Sequence, residues 1–217
     1  MKIFIGGATG ATGQELVRLG SESAELVIHV RPQSTQKYSD QQPNGPSPAV
    51  FDLLDSAELE AAMQGCDAVI STIGTMRKRF HTGDTYRTSD IETTSALVAA
   101  AERVCVQHFA LMGAYGAAWV PGPYYDAKRD AERVVMSSTI PWTLIRPSAL
   151  IGNGRGPGFL ARTGWLEALP LVRGPVQDMK GIPVRVCAAA MLRVVLERTH
   201  QGQILNGRDL WMLSQDS

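Results

Sequence analysis

Tyr124 and Lys128 stand four residues apart, so on a helix they share one face. A lysine ammonium beside a phenol stabilises the phenolate and lowers its pKa toward working pH. That suits the oxygen to exchange a proton with a carbonyl or an alcohol. A second group of residues points to anion binding. The run Gly6-Gly7-Ala8-Thr9-Gly10-Ala11-Thr12-Gly13 spaces glycines as G-x-x-G-x-x-G on Gly7, Gly10 and Gly13. Glycines let a backbone turn tightly and approach a pyrophosphate, and a following helix offers unpaired N–H groups at the positive end of its dipole. Thr9, Ala11 and Thr12 lie within that candidate cradle. A third signal follows the apolar run Glu25–Val30, where the chain continues Arg31-Pro32-Gln33-Ser34. A binder of NAD places an acid there for the ribose hydroxyls, whereas an arginine accommodates the 2′-phosphate of NADP. Glu25 comes too early. NADP(H) is therefore expected in preference to NAD(H), with Arg31 as fork donor and Ser34 as a hydroxyl partner.

These groups can meet only if the fold carries them to one edge. Short apolar runs at Lys2–Ile5, Glu25–Val30, Ala49–Leu53, Asp67–Ile73, His108–Met112 and Trp142–Ile145 read as strands. Between them Thr12–Leu19, Asp55–Met63, Ile91–Arg103 and Ala127–Met136 read as helices, Asp55 capping the second with Glu58 three residues on. Such alternation implies right-handed βαβ crossovers and an α/β fold with a mainly parallel sheet covered on both faces. Two irregular stretches, near 76–90 with Arg77-Lys78-Arg79 and near 152–183 with its many glycines, follow directly on strands. They are expected to be substrate-side insertions at the edge where open α/β sheets bind ligands.

Composition narrows the classes further. The chain has 217 residues and equal numbers, 21 each, of Lys+Arg and Asp+Glu, which argues against nucleic acid or an anionic membrane as partner. No run approaches the length of a membrane-spanning helix, and Met1-Lys2-Ile3-Phe4-Ile5 enters the glycines too soon for a signal peptide. Cys66, Cys105 and Cys187 are widely spaced and read as small core residues of a reduced, cytoplasmic protein. His29 reads as a core or rim residue, His108 as structural, His81 as part of a solvated polar loop, and His200 as a cation near the end of the last helix. No zinc-ligand spacing, G-x-S-x-G elbow or P-loop lysine is present.

Taken together, these motifs resemble the short-chain dehydrogenase/reductase superfamily, in its atypical NAD(P)H-binding branch of NmrA-like and Tat-interacting-protein-like oxidoreductases. The likeness covers almost the whole chain. It rests on the glycine loop, Asp52-Leu53, the segment Asp67–Thr75, Gln107-His108-Phe109 with Gly116-Ala117, Tyr-x-x-x-Lys at Tyr124 and Lys128, and Arg146-Pro147-Ser148-Ala149-Leu150. The Gly-Thr-x-Arg turn at Gly74–Arg77 and the tail from Ile182 through Ala190-Met191-Leu192 are similar to the Tat-interacting-protein-like group. The resemblance implies a single Rossmann-type, doubly wound domain over residues 1–217 with a small C-terminal substrate cap. It implies that Asp52 and Leu53 meet the adenine, that Thr72, Ile73 and Gly74 lie beneath the nicotinamide ribose, and that Met112 also binds the cofactor. Lys128 would hold that ribose, and Pro147, Ser148, Ala149 and Leu150 would close over the nicotinamide. One departure stands out: Gly113 and Ala114 occupy the place of the superfamily's serine pair. The expectation is an NADPH-dependent reductase of a small carbonyl, quinone or similar acceptor; the alternative is an NADP(H)-binding sensor with little turnover.

Overall fold

The computed structural model describes residues 1–74, 85–152, 178 and 180–215. Seven strands form one parallel sheet: β1 (Lys2–Gly6), β2 (Glu25–Val30), β3 (Ala49–Val50), β4 (Ala68–Ser71), β5 (His108–Met112), β6 (Trp142–Ile145) and a late edge strand, Gln203–Leu205. That last strand is β9; β7 (Leu150–Ile151) and β8 (Ile182–Pro183) pair separately in parallel. The order across the sheet is β3-β2-β1-β4-β5-β6-β9. The helices are α1 (Ala11–Gly20), α2 (Thr35–Gln41), α3 (Ser56–Met63), α4 (Thr93–Arg103), α5 (Pro123–Met136), α6 (Val184–Leu196) and α7 (Gly207–Gln215). This is a Rossmann-type α/β fold, as the alternation of runs implies.

The period of two along the strands explains why both faces are covered. Ile3, Ile5, Ile28, Ala68 and Ile70 point to one side and pack with α1 and α6. Phe4, Val69, Phe109 and Leu111 point to the other and pack with α3, α4 and α5. Sequence order reverses direction between β1 and β4, and their C-terminal ends form the crevice where open α/β sheets bind ligands.

Several boundaries differ from the sequence reading. β3 ends at Val50, not Leu53, because Asp52 turns the chain: its Oδ1 accepts from the Leu54 N–H at 3.0 Å and its carbonyl from the Asp55 N–H at 2.8 Å. β4 is likewise shorter than Asp67–Ile73, ending at Ser71. The helix expected from Ile91 is preceded by a π-helical turn at Arg87–Glu92. α5 begins at Pro123, not Ala127, since Pro at the first helical position needs no N–H partner. α2, β9 and α7 carry too few periodic apolar residues to be read from the sequence. His200 lies just past the C-terminal end of α6 at Leu196, the helix read as last, in the turn before β9 with φ 57°; α7 follows it. Cys66 and Cys187 are buried as expected, with burial pushing their thiols up to about 11 and about 12. Cys105 is exposed, because the chain reverses there (φ 58°) between α4 and β5. Among the described residues no helix is long and apolar enough to cross a membrane. Arg77, Lys78, Arg79, His81 and most of the 152–183 stretch, where the cap was expected, lie outside the described residues.

Candidate functional site

The glycine loop joins β1 to α1 at the crevice. Gly7 has φ +88°, a conformation glycine adopts without penalty, and a Cβ there would stand 2.7 Å from Thr72 Oγ1. That hydroxyl donates to the Gly6 carbonyl at 3.2 Å and ties the loop to the end of β4. Gly13 answers a different need: its Cβ would lie 2.1 Å from the Gly7 carbonyl oxygen, so its absence lets α1 pack on the loop. Gly10 caps α1 in extended conformation and itself makes no side-chain cap. Among the described residues, a Cβ on Gly10 would meet only the Gly7 carbonyl, at 3.1 Å. The cradle therefore fits a pyrophosphate on both counts, backbone access and helix dipole.

A cavity of about 340 Å³ runs from this loop along the sheet edge. Ten of the expected residues line it: Gly7, Thr9, Gly10, Arg31, Ser34, Asp52, Leu53, Thr72, Ile73 and Gly74. His29, Gln33, Leu54, Thr88, Ser89 and Thr93 join them, and sequence reasoning had not placed these in the site. Lys37 was missed as well; its Nζ donates to the Thr9 carbonyl at 2.8 Å, putting a second cation against the glycine loop. No sequence signal marked it, because α2 carries a single buried apolar residue, Tyr38. Asp52 is exposed, its carboxylate turned onto the Leu54 N–H. His29 is buried between Phe4 and Phe51, and its Nε2 donates to the Phe51 carbonyl at 2.9 Å. Burial, aided by the Arg31 charge, holds its pKa below the ordinary histidine value despite that bond.

Other expected residues fall outside the cavity walls. Ala11 opens α1, and Thr12 and Gly13 are buried on its packing face. Met112 ends β5, while Pro147, Ser148 and Ala149 follow β6 and Leu150 opens β7. There Pro147 accepts from the Tyr115 N–H at 3.1 Å, and the Ser148 hydroxyl donates to the Lys180 carbonyl.

Tyr124 and Lys128 lie on one face of α5, one turn apart. Tyr124 packs edge-on against Tyr86 (5.7 Å) and Tyr125 (5.0 Å). Lys128 is buried, and its ammonium is not given over to Tyr124 as expected: it pairs with Asp90 Oδ1 at 2.8 Å and donates to the Ile73 carbonyl at 3.4 Å. Burial alone would pull the lysine pKa down; the Asp90 carboxylate, with Tyr124 and Glu132, outweighs it and leaves Lys128 above its ordinary value.

The place of the missing serine pair has a tertiary cause. One turn beyond Lys128, Glu132 is fully buried and bound in bidentate fashion by Arg146, at 3.0 Å to Oε1 and 2.7 Å to Oε2. A Cβ on Gly113 would stand 2.1 Å from Glu132 Oε1. Position 113 therefore has no room for a hydroxyl side chain while that ion pair stands.

A family model described as NAD(P)H-binding matches residues 7–164. The uncharacterized sugar epimerase YhfK of Bacillus subtilis is 29% identical over 174 residues, covering 77% of this chain and 80% of its own. The NAD(P)H azoreductase of Xenophilus azovorans is 26% identical over 204 residues, covering 93% of this chain and 65% of its own. Among solved structures, a putative NAD-dependent epimerase/dehydratase from Bacillus halodurans superposes with TM-score 0.72 at 21% identity, each chain covered in full (100%). An Escherichia coli NADPH-dependent quinone oxidoreductase complexed with NADPH gives TM-score 0.67 at 19% identity, over 94% of this chain and 68% of that one.

Proposed function

The chain belongs to the NAD(P)H-binding family, and from that premise we propose that it is an NADPH-dependent reductase of small electrophilic acceptors, quinones above simple carbonyls. One observation carries the reading. A single cavity connects the glycine loop, Arg31 and Gly74, and buried Lys128 lies against Gly74. The loop and the α1 N-terminus would hold the pyrophosphate. Arg31 and Lys37 would receive the 2′-phosphate, since no acid follows β2. Lys128 would bind the nicotinamide ribose hydroxyls, and Tyr124 would give its proton to the acceptor oxygen. When bound, the nicotinamide supplies the hydride. Ala114 and Gly113 provide no hydroxyl to polarise a carbonyl, and losing one such donor costs on the order of 10²–10³ in rate. Acceptors that are already electrophilic need that help least.

The test has two arms. Calorimetry should show NADPH bound about tenfold to a hundredfold more tightly than NADH, with Arg31→Ala removing most of the difference. Loss of nicotinamide absorbance should occur with a 1,4-naphthoquinone and more slowly with an aldehyde. Equal affinities would place Arg31 elsewhere. The absent hydroxyls also favour a second reading, a sensor that binds NADP(H) without turnover. Tight NADPH binding with no acceptor reduced would decide for it.

A further inference from the structure

Behind the Gly74 end of the cavity lies a fully internal ion pair. Asp90 is 2% and Lys128 5% exposed. The chain departs from regular geometry to make it. Asp90 sits in the π-helical turn Arg87–Glu92 that precedes α4, and such turns carry an extra residue that rotates the side chains before it relative to those after it. The turn is secured by its neighbours: Thr94 Oγ1 donates to the Asp90 carbonyl at 2.6 Å, and Thr93 Oγ1 to the Ser89 carbonyl at 2.8 Å. Gly74 completes the arrangement. A Cβ there would lie 2.6 Å from Lys128 Nζ and 3.0 Å from Asp90 Oδ1, so a larger residue would push the pair apart or seal it from the cavity.

The charges around Lys128 are divided unequally. From its own helix it faces Tyr124 and Glu132, and from the π turn it faces Asp90. Glu132 is already bound twice by Arg146, while Tyr86 packs on the Tyr124 ring. Asp90 is thus the carboxylate in direct contact with the ammonium. A buried ion pair is seldom the most stable filling for a core site, since apolar groups of similar size do as well or better. Stability alone does not explain this one.

We propose, on the reading of the site given above, that Asp90 is its positioning residue: the carboxylate anchors the Lys128 ammonium beneath Gly74, charged and held where the cavity meets α5. The lysine then meets the cofactor as a charged donor, and most of its field is spent on Asp90, not on Tyr124. A proton donor to an electrophilic acceptor needs no strongly stabilised phenolate, so the arrangement suits reduction over alcohol oxidation.

Without Asp90, burial would dominate and Lys128 would give up its proton at lower pH than in the wild type. The test is NADPH affinity by calorimetry from about pH 7 to about pH 10, for wild type, Asp90→Glu, Asp90→Asn and the double variant Asp90→Asn/Lys128→Met. Wild type and Asp90→Glu should hold a level affinity. Asp90→Asn should lose about tenfold across the range as a charge-assisted bond becomes a neutral one. The double variant should be level and weak. Thermal unfolding of the cofactor-free chains gives an independent reading. In Asp90→Asn the folded lysine would bind fewer protons than the unfolded one, so stability should rise with pH, and the double variant should lose that slope. An Asp90→Asn affinity that runs parallel to wild type at every pH overturns the proposal. If Asp90→Asn does not fold, the double variant decides: weakened binding supports the role of the pair, and wild-type affinity overturns it. A wild-type chain that binds NADPH but reduces no acceptor removes the reductase reading, while the role of Asp90 still stands or falls with the affinity profiles.

Discussion

At the scale of single residues, the missing serine is the most informative position, because two neighbouring substitutions separate packing from chemistry. Ala114 is buried at the entry to the short 3₁₀ turn Tyr115–Ala118, in an extended conformation any residue adopts. Ala114→Ser should leave stability within about 1 kcal/mol and raise turnover of simple aldehydes relative to quinones. Gly113→Ser should behave oppositely. Its Cβ falls on Glu132 Oε1, and forcing the Glu132–Arg146 pair apart strands a buried charge at a cost of about 3–5 kcal/mol. Denaturant titration and acceptor kinetics on both variants check the contrast. Gly113 was visible in the sequence as a departure; its cause was not. Glu132 and Arg146 lie in different elements, 14 residues apart, and only the packing of α5 against the end of β6 reveals that they share the glycine's space.

The elements of the sheet are joined by a buried polar chain that predicts a pH response. His108 opens β5, and its Nε2 lies 2.9 Å from Thr143 Oγ1 in β6. That hydroxyl in turn donates to the His200 carbonyl at 2.9 Å in the turn before β9, which leaves it to accept from a His108 Nε2–H. Burial, reinforced by the Arg198 charge, lowers the His108 pKa to about 4. The folded state therefore binds fewer protons than the unfolded one as pH falls below the ordinary value of 6.5. Its contribution is whole above that pH and is lost on acidification through about pH 4, an effect of up to about 3 kcal/mol. His108→Gln keeps a donor for Thr143 and should flatten the fall in stability over this window. Part of the slope should persist, since His29 is shifted the same way. An unchanged profile would assign the acid sensitivity to other groups. His108 was read correctly as structural from its place at a strand start. The chain it forms could not be, because β9 has three residues and no apolar period.

For the whole molecule, the arrangement makes cofactor binding and stability one quantity. A ligand that binds only the folded state adds about 2.7 kcal/mol at a hundred times its dissociation constant, or on the order of 5–10 °C in Tm for a domain of this size. NADPH should give that shift, and NADH at equal concentration a smaller one. Gly10→Val should fold, because its backbone is extended and, among the described residues, a Cβ there meets one close atom, the Gly7 carbonyl oxygen at 3.1 Å, which must give by a few tenths of an ångström. It should nevertheless lose the shift, since the branched side chain fills the proposed pyrophosphate cradle; a Gly10→Val protein stabilised as much as wild type would remove the loop from the site. What the sequence determined here is whatever depends on neighbours along the chain: the alternation of apolar runs and helices, the glycine loop opening α1, Arg31 after β2, and Tyr124 and Lys128 one helical turn apart. Those are local because hydrogen bonding and side-chain period in helices and strands are set within a few residues. What only the tertiary structure decided is which groups share buried space. Asp90 claims Lys128 across 38 residues of chain, the difference of their numbers. Glu132 closes position 113, and Lys37 reaches back to Thr9. Such pairings follow from the order and twist of strands in the sheet and from the burial of charge, and neither is written in any one segment.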